Sequence, residues 1–434
     1  MLTQIGIGGF RSYQDARLKL APLTVLIGAN ASGKSNAIEA LRLLSLIASG
    51  AKVSSMRAVA HALGARPLRG NATTLGFRRA DRFTLCCSMA DREWDGFAIT
   101  LRTGEGDELH IVDERITGTG KAVPLYEVVE SSTTGGDLRV AYNNFARGGK
   151  KPQVTCNDQV TLLLQLESSA RFESGHRAAQ NTIPEICRSY QESLGKVVFL
   201  DPQPQEMRWY SANTERFLVD DGSNLSGVLF NLCEDGYESE ILDIIRSLPE
   251  QNISAISFIE TPRGEVMVEL EETFGGDTRK YDASLLSDGT LRVLSVAAAI
   301  LSARSGSLVV IEEIDNGVHP SRARTLLDSI SRIAKRRDLR VLISSHNPAL
   351  LDALPDDAVP HVVFCYRDPE DGSSRLVSLE DVPDYPELMA QGSIGHLMTR
   401  GLIDRFVKSR QDPETRREKA RAWLQTLHER TEEP

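Results

Sequence analysis

Three short apolar runs stand out along the chain: Thr24-Val25-Leu26-Ile27, Leu308-Val309-Val310-Ile311 and Val341-Leu342-Ile343. No charge interrupts them, as expected of strands buried on both faces. After Ser35 the period changes. Ala37, Ile38, Ala40, Leu41, Leu44 and Leu46 suit a buried helix. Residues 291–301 predict a strongly apolar helix, and 321–333 an amphipathic one that leads into the strand at 341–343. At the start, 2–7 reads as a short strand that Gly8-Gly9 breaks. The middle, about 50–280, is less regular. Strand candidates at 97–101, 108–112 and 196–200 lie among glycine breaks (Gly104, Gly106, Gly118, Gly120, Gly135, Gly136, Gly148, Gly149), which predicts antiparallel strands with loops. A more helical part follows around 238–248. In the tail, Asp412 suits an N-cap with Pro413 at the first helical position, and Ala420, Trp423, Leu424 and Leu427 share one face. That face covers the core or takes a partner. No internal repeat and no sustained heptad is present. The pattern is that of an α/β protein.

Composition adds boundaries. The chain has 434 residues, 41% hydrophobic and 25% charged, with a net charge of −10. This excludes a largely disordered or collagen-like chain. No run of about 18 apolar residues predicts a membrane span, and the N-terminus lacks a basic start before an apolar block. The six cysteines form no CxxC pair, so a cytoplasmic protein with reduced thiols is expected. Length alone suggests two or three domains. The acidic balance argues against coating nucleic acid with the whole surface. Local basic groups remain: Arg332, Lys335, Arg336, Arg337 and Arg340; Arg57, Arg66, Arg69, Arg78 and Arg79; and Arg147, Lys150 and Lys151. Each is read either as solvated surface or as a DNA contact.

The chemistry begins at Gly28-Ala29-Asn30-Ala31-Ser32-Gly33-Lys34-Ser35, which fills every fixed position of G-x-x-x-x-G-K-[ST]. Glycines let the backbone curl so that its N–H groups point into one cavity. Lys34 brings a positive charge to β- and γ-phosphates, and the Ser35 hydroxyl is a Mg²⁺ ligand. The helix that follows adds its N-terminal dipole. Far downstream, the strand 308–311 runs into Glu312-Glu313. Carboxylates at the carboxyl end of a buried parallel strand sit where ligands bind in α/β sheets. One can hold Mg²⁺ and the other can polarise an attacking water. The strand 341–343 ends in Ser344-Ser345-His346, from which an imidazole can reach a γ-phosphate at the same sheet edge.

Leu286-Ser287-Asp288-Gly289-Thr290 lies between these motifs, directly before the apolar helix. It resembles the LSGGQ-like signature of ABC-type ATPases. Gly9-Phe10-Arg11-Ser12-Tyr13, the run Asn30 to Asn36, and Ile311-Glu312-Glu313-Ile314-Asp315-Asn316-Gly317-Val318-His319-Pro320 resemble the SMC/RecF/OLD-like group. The resemblance spans roughly 1–45 and 195–350. It implies an α/β P-loop ABC-type ATPase head with a mixed or antiparallel β subdomain and a helical insertion. It also implies ATP and Mg²⁺ as ligands. Gly28, Asn30, Ser32, Gly33, Lys34, Ser35 and Asn36 would hold nucleotide, and Ser35 and Glu312 the metal. Glu313 would be the base and His346 the γ-phosphate switch. Ser287 and Gly289 would touch the ATP of a second copy, closing a sandwich dimer; otherwise Ser287 is a plain N-cap. Gln203 is the Q-loop candidate, with Gln205 as its competitor. Two departures stand out: Glu312 where Asp is usual, and Asp288 and Thr290 within the signature.

The motifs at residues 28 and 308 must meet at one site, so the chain reads as one head with a long insertion. The expected division is 1–50 and 280–375 for the ATPase core, 51–195 for a β-rich subdomain and insertion, 196–280 for the Q-loop and helical lobe, and 376–434 for a C-terminal helical region. A TOPRIM-type nuclease needs a Glu and a later Asp-x-Asp. After His346 the nearest approach is Asp368-Pro369-Glu370, so no intrinsic nuclease is expected. A stand-alone head of this length resembles the ATPase subunits of bacterial anti-phage, abortive-infection systems, which work with a separate effector such as a nuclease. The alternatives are a RecF-like DNA-repair ATPase and an assembly scaffold with little turnover.

Overall fold

The structure, a computed structural model, describes residues 1–56, 67–90, 92–131, 135–245, 252–315, 320–382 and 392–401, with the backbone alone at 105 and 320–322. The expected tail helix from Asp412, the helix end at 246–248, Arg57, Arg66 and the segment 316–319 lie outside the described residues.

A six-stranded sheet forms the centre, in the order Val198–Leu200, Leu308–Ile311, Arg340–Ser345, Leu23–Ile27, Val362–Arg367, Ser374–Ser378. The first five strands are parallel and the last is antiparallel. All three predicted apolar runs are here, and both faces are covered. Leu23, Val25, Ile27, Val309, Ile311, Val341 and Ile343 pack into one core with the helices Leu225–Glu234, Glu238–Ile245, Asp288–Ser302 and Pro320–Arg336. The alternate residues Leu26, Leu308, Val310, Leu342, Val363 and Cys365 face a second core with the helices Lys34–Ala48 and Arg177–Gly195. This two-sided burial explains why the strands read as unbroken apolar text.

An eight-stranded antiparallel sheet closes the second core. Its order is Tyr13–Lys19, Leu2–Phe10, Arg82–Met89, Gly96–Thr103, Leu109–Thr117, Tyr126–Ser131, Asp137–Tyr142, Gln153–Asn157. The chain's first two strands therefore belong to this sheet. The predicted break at Gly8-Gly9 does not occur: the first strand runs through to Phe10. Small residues are needed there, because a Cβ on Gly6 would lie 2.2 Å from the Cys86 sulfur. Gly9 takes a left-handed φ of 66° that only glycine adopts readily.

The helix Arg177–Gly195 was not legible as such in the sequence. It is amphipathic with Pro184 inside it, and buries Ala179, Ile183, Cys187, Tyr190 and Leu194. The stretch 196–280 is half sheet. Strands Ser211–Ala212, Ile253–Glu260, Glu265–Phe274 and Asp277–Asp282 accompany its two helices. All six cysteines are free thiols. No helix among the described residues is long and apolar enough to cross a membrane.

Candidate nucleotide site

Parallel register decides the site. Pairing Val341 with Leu23 and Ser345 with Ile27 puts the end of the strand before His346 beside the start of the glycine loop. Pairing Leu308 with Arg340 and Ile311 with Ile343 puts Glu312 and Glu313 at the same carboxyl edge. Val198–Leu200 ends there too, opposite Ile311. Residues 28, 203, 312 and 346 thus start from one edge of one sheet.

The loop is shaped by close approach. A Cβ on Gly28 would sit 2.2 Å from the Cys365 carbonyl oxygen. Ala31 and Gly33 adopt φ of 63° and 124°. Gly33 is the N-cap of the helix Lys34–Ala48 and offers no side chain; its carbonyl takes the Asn36 and Ala37 N–H groups, which leaves those of Lys34 and Ser35 for an anion. Lys34 donates to the carbonyls of Gly28 (2.6 Å) and Ala29 (3.1 Å). Burial lowers its pKa, opposed by the charges of Cys365, Glu313 and Asp315. The loop lysine and the downstream acids therefore share one electrostatic site. Asn36 donates to Ser12 Oγ at 2.7 Å and accepts from Arg69 at 2.7 Å. Asn30 is exposed and Ser32 buried within the loop.

Ser35 and Glu312 line one cavity together with Glu39, Arg42 and Arg69. Glu312 is 13% exposed and lies 3.7 Å from the Arg42 guanidinium, which also pairs with Asp220 and stacks 4.3 Å from the Phe199 ring centre. Arg42 was missed in the sequence reading. It lies seven residues beyond Ser35 in a helix, and nothing local marks it.

Glu313 has φ 49°, an uncommon left-handed conformation for a non-glycine residue. Its backbone N–H donates to Ser344 Oγ at 3.1 Å, and its side chain is exposed. His346 Nδ1 lies 3.3 Å from the buried carboxylate of Asp315. Asp315 was quoted only as part of a motif; its pairing with His346 depends on the fold.

Ser287 and Gly289 sit apart from this cluster. Ser287 is the exposed N-cap of Asp288–Ser302 and accepts from the Thr290 N–H at 3.1 Å. Asp288 pairs with Arg208 at 2.6 Å, and Arg208 also binds the Ser284 and Leu286 carbonyls. The signature loop is thereby braced from the segment after the Q-loop candidate. Gln203 is exposed and donates to the Asp201 carbonyl at 3.2 Å; Gln205 begins the short turn Glu206–Arg208.

The donor set fits a nucleotide with Mg²⁺: the Ser35 hydroxyl and the Glu312 carboxylate on one cavity, with Lys34 next to Ser35 at the start of the helix. Among the described residues no three His, Cys, Asp or Glu side chains converge. A hard cation here would therefore draw further oxygens from phosphate and water, as Mg²⁺ does. Several candidate DNA contacts are already engaged. Arg337 holds the Tyr237 hydroxyl and the Ala303 carbonyl, Arg336 pairs with Glu240, Lys335 with Asp357, and Arg340 holds the Leu20 carbonyl.

Parts of the chain are similar to known families. Residues 212–352 match the family described as "AAA domain, putative AbiEii toxin, Type IV TA system", and residues 1–55 match an AAA ATPase domain family. No curated protein matches the chain in sequence. Similar solved structures include an Smc head bound to the C-winged helix domain of ScpA (14% identity, covering 87% of this chain and 97% of that one, TM-score 0.46). Another is the SMC head domain from Thermotoga maritima (14%, 87% and 98%, TM-score 0.39). A third is the Pyrococcus furiosus Smc head with an extended coiled coil bound to the C-terminal domain of ScpA (13%, 90% and 99%, TM-score 0.44). The two family matches carry the two halves of the site, Lys34 and Ser35 in one and Ser287, Glu312, Glu313 and His346 in the other. Residues 1–55 and 212–352 are thus each similar to AAA-type ATPase families, the second one described as AbiEii-like.

Proposed function

We propose that this chain hydrolyses ATP at the edge shared by the glycine loop and the Glu312-Glu313 strand, and that ATP drives it to dimerise and regulate a separate effector. The observation that carries the reading is the parallel register that brings Lys34, Ser35, Glu312, Glu313 and His346 to one sheet edge. In this reading the N–H groups of the loop and Lys34 bind the phosphates. Ser35 and Glu312 would hold Mg²⁺, which neutralises phosphate charge when bound. Arg42 steadies the Glu312 carboxylate. Glu313 takes a proton from the attacking water, and His346, with the Asp315 carboxylate 3.3 Å from its Nδ1, faces the terminal phosphate. Exposed Ser287 and half-buried Gly289 would meet the nucleotide of a second copy. The effector is proposed to be a nuclease in anti-phage defence, on the resemblance to abortive-infection ATPases.

Glu313→Gln keeps the shape and removes the base. Expected is ATP affinity within a few-fold of the parent, at least about 100-fold slower phosphate release, and a dimer trapped by ATP. Phosphate release at the parent rate would remove Glu313 from the role. Absence of ATP binding in the parent chain would remove the reading altogether. Co-purification with the product of an adjacent gene tests the effector.

A further inference from the structure

Two residues far from each other in sequence touch the glycine loop from behind. Tyr13, on an edge strand of the eight-stranded sheet, donates its hydroxyl to the Gly33 carbonyl at 3.1 Å. Ser374, on the antiparallel edge strand of the central sheet, places its hydroxyl 2.5 Å from the Ser32 carbonyl and 2.7 Å from Ser12 Oγ. Both residues are fully buried. Their approach is close enough that a Cβ on Gly33 would lie 2.4 Å from Ser374 Oγ and 3.0 Å from the Tyr13 hydroxyl.

The protons order themselves. Ser374 has one hydroxyl proton, and the Ser32 carbonyl can only accept, so the proton goes there. Ser12 then donates its own proton to Ser374 Oγ while accepting from Asn36 Nδ2 at 2.7 Å. On the other arm, the Cys365 thiol lies 3.3 Å from the Tyr13 hydroxyl and donates to it, leaving the Tyr13 proton for Gly33. Burial pushes the Tyr13 pKa well above its ordinary value, so the donor persists at any physiological pH. The strand carrying Ser374 is itself held in place, because the Ser374 N–H bonds the Ser12 carbonyl at 2.7 Å.

A trans peptide is planar, and its C=O and N–H point in opposite directions. Holding the Ser32 carbonyl against the wall turns the Gly33 N–H away from it. Holding the Gly33 carbonyl does the same to the Lys34 N–H. We propose that Tyr13 and Ser374 are positioning residues that aim two successive loop N–H groups at the phosphates. Neither touches the nucleotide. Their contribution is to fix the donors before binding, so that less orientational freedom is lost when the anion arrives. The proposal rests on the nucleotide-binding reading above.

The test is titration of the full chain with ATP, ADP and AMP in Mg²⁺, for the parent, Tyr13→Phe, Ser374→Ala and the double variant, with thermal melting of each. Each single change is expected to weaken ATP and ADP about 5-fold and the double change about 20-fold, on the scale of one lost hydrogen bond per site. AMP should change less than 3-fold, so the ratio of ATP to AMP affinity narrows. If the double variant does not fold, the single variants carry the same ratio. Unchanged ATP affinity in folded variants, or an equal loss for all three nucleotides, overturns the positioning role and leaves nucleotide binding intact. A parent chain that binds no nucleotide overturns both.

Discussion

Any residue but glycine at position 33 meets two obstacles at once. The backbone stands at φ 124°, where side chains are strained, and Ser374 and Tyr13 occupy the space a Cβ would need. Gly33→Ala is expected to cost about 1–3 kcal/mol of stability and to weaken ATP binding at least about 10-fold, because the wall that aims the loop must move. Urea unfolding and calorimetric titration check both. Gly33, Lys34 and Ser35 read as a phosphate cradle in the sequence, since the motif's chemistry is local. The reason glycine is needed at 33 was only partly legible: half of it lies in a residue 341 positions away. Glu313 shows the same division. Its place after an apolar strand is local, but its φ of 49° and the Ser344 hydroxyl beneath its N–H come from neighbouring strands.

Elements carry the next set of consequences. The helix Asp288–Ser302 starts three residues earlier than its apolar pattern suggests, because Ser287 caps it and Asp288 complements its dipole. Ser287→Ala is expected to lose about 1 kcal/mol of stability as well as ATP-driven dimerisation. Ser287→Asp separates the two: it keeps a capping oxygen but turns a negative charge toward the phosphates of a second copy. It should melt near the parent and fail to dimerise. A variant that melts and dimerises like the parent would show Ser287 to be a cap alone.

The middle region holds a second device. Glu114, on the strand Leu109–Thr117, is completely buried and accepts from the Tyr126 and Thr161 hydroxyls and from the Leu162 and Leu163 N–H groups. It ties the start of the short helix Leu162–Gln165 to the sheet. Burial pushes its pKa up to about 7. The folded state thus binds a proton that the unfolded chain has released above about pH 4.5. Stability should fall as pH rises from about 4.5 through 7, and level off above that. Glu114→Gln cannot titrate but turns an amide NH₂ toward donors, so it should melt below the parent and lose the fall between pH 4.5 and 7. Melting across that range, variant against parent, isolates this one group. The sequence predicted a strand only over 108–112; that it runs on through Glu114 and encloses a carboxylate was not readable, since its four donors come from two other segments.

At the scale of the molecule, one central sheet joins what the chain keeps some 280 residues apart. Strands at 23–27, 308–311 and 340–345 are adjacent, so the insertion between them can grow without disturbing the site. The insertion supplies the helices Arg177–Gly195, Leu225–Glu234 and Glu238–Ile245 and six of the eight antiparallel strands that help cover the two faces. The trapped assembly of Glu313→Gln belongs to this scale: with ATP and Mg²⁺ its mass by light scattering should double, and adding Ser287→Asp should return it to one chain. A mass that ignores ATP would count against the sandwich. The basic run at 332–340 also reads differently in three dimensions. Its charges hold the helix end to Tyr237, Glu240, Asp357 and the Leu20 carbonyl, so that group serves the fold.

The sequence by itself determined the order of the motifs: a glycine loop with lysine and serine, a capped apolar helix, paired carboxylates after a buried strand, and a histidine after the next. Those features are local, set by residue type and by periods of two and 3.6. It also determined that the central strands are buried twice over. Tertiary structure alone decided which strands are neighbours, that Arg42 lies beside Glu312, that Asp315 lies beside His346, and that Tyr13 and Ser374 grip the loop from behind. Each of these joins residues that strand register or helix packing brings together, and such contacts leave no periodic trace along the chain.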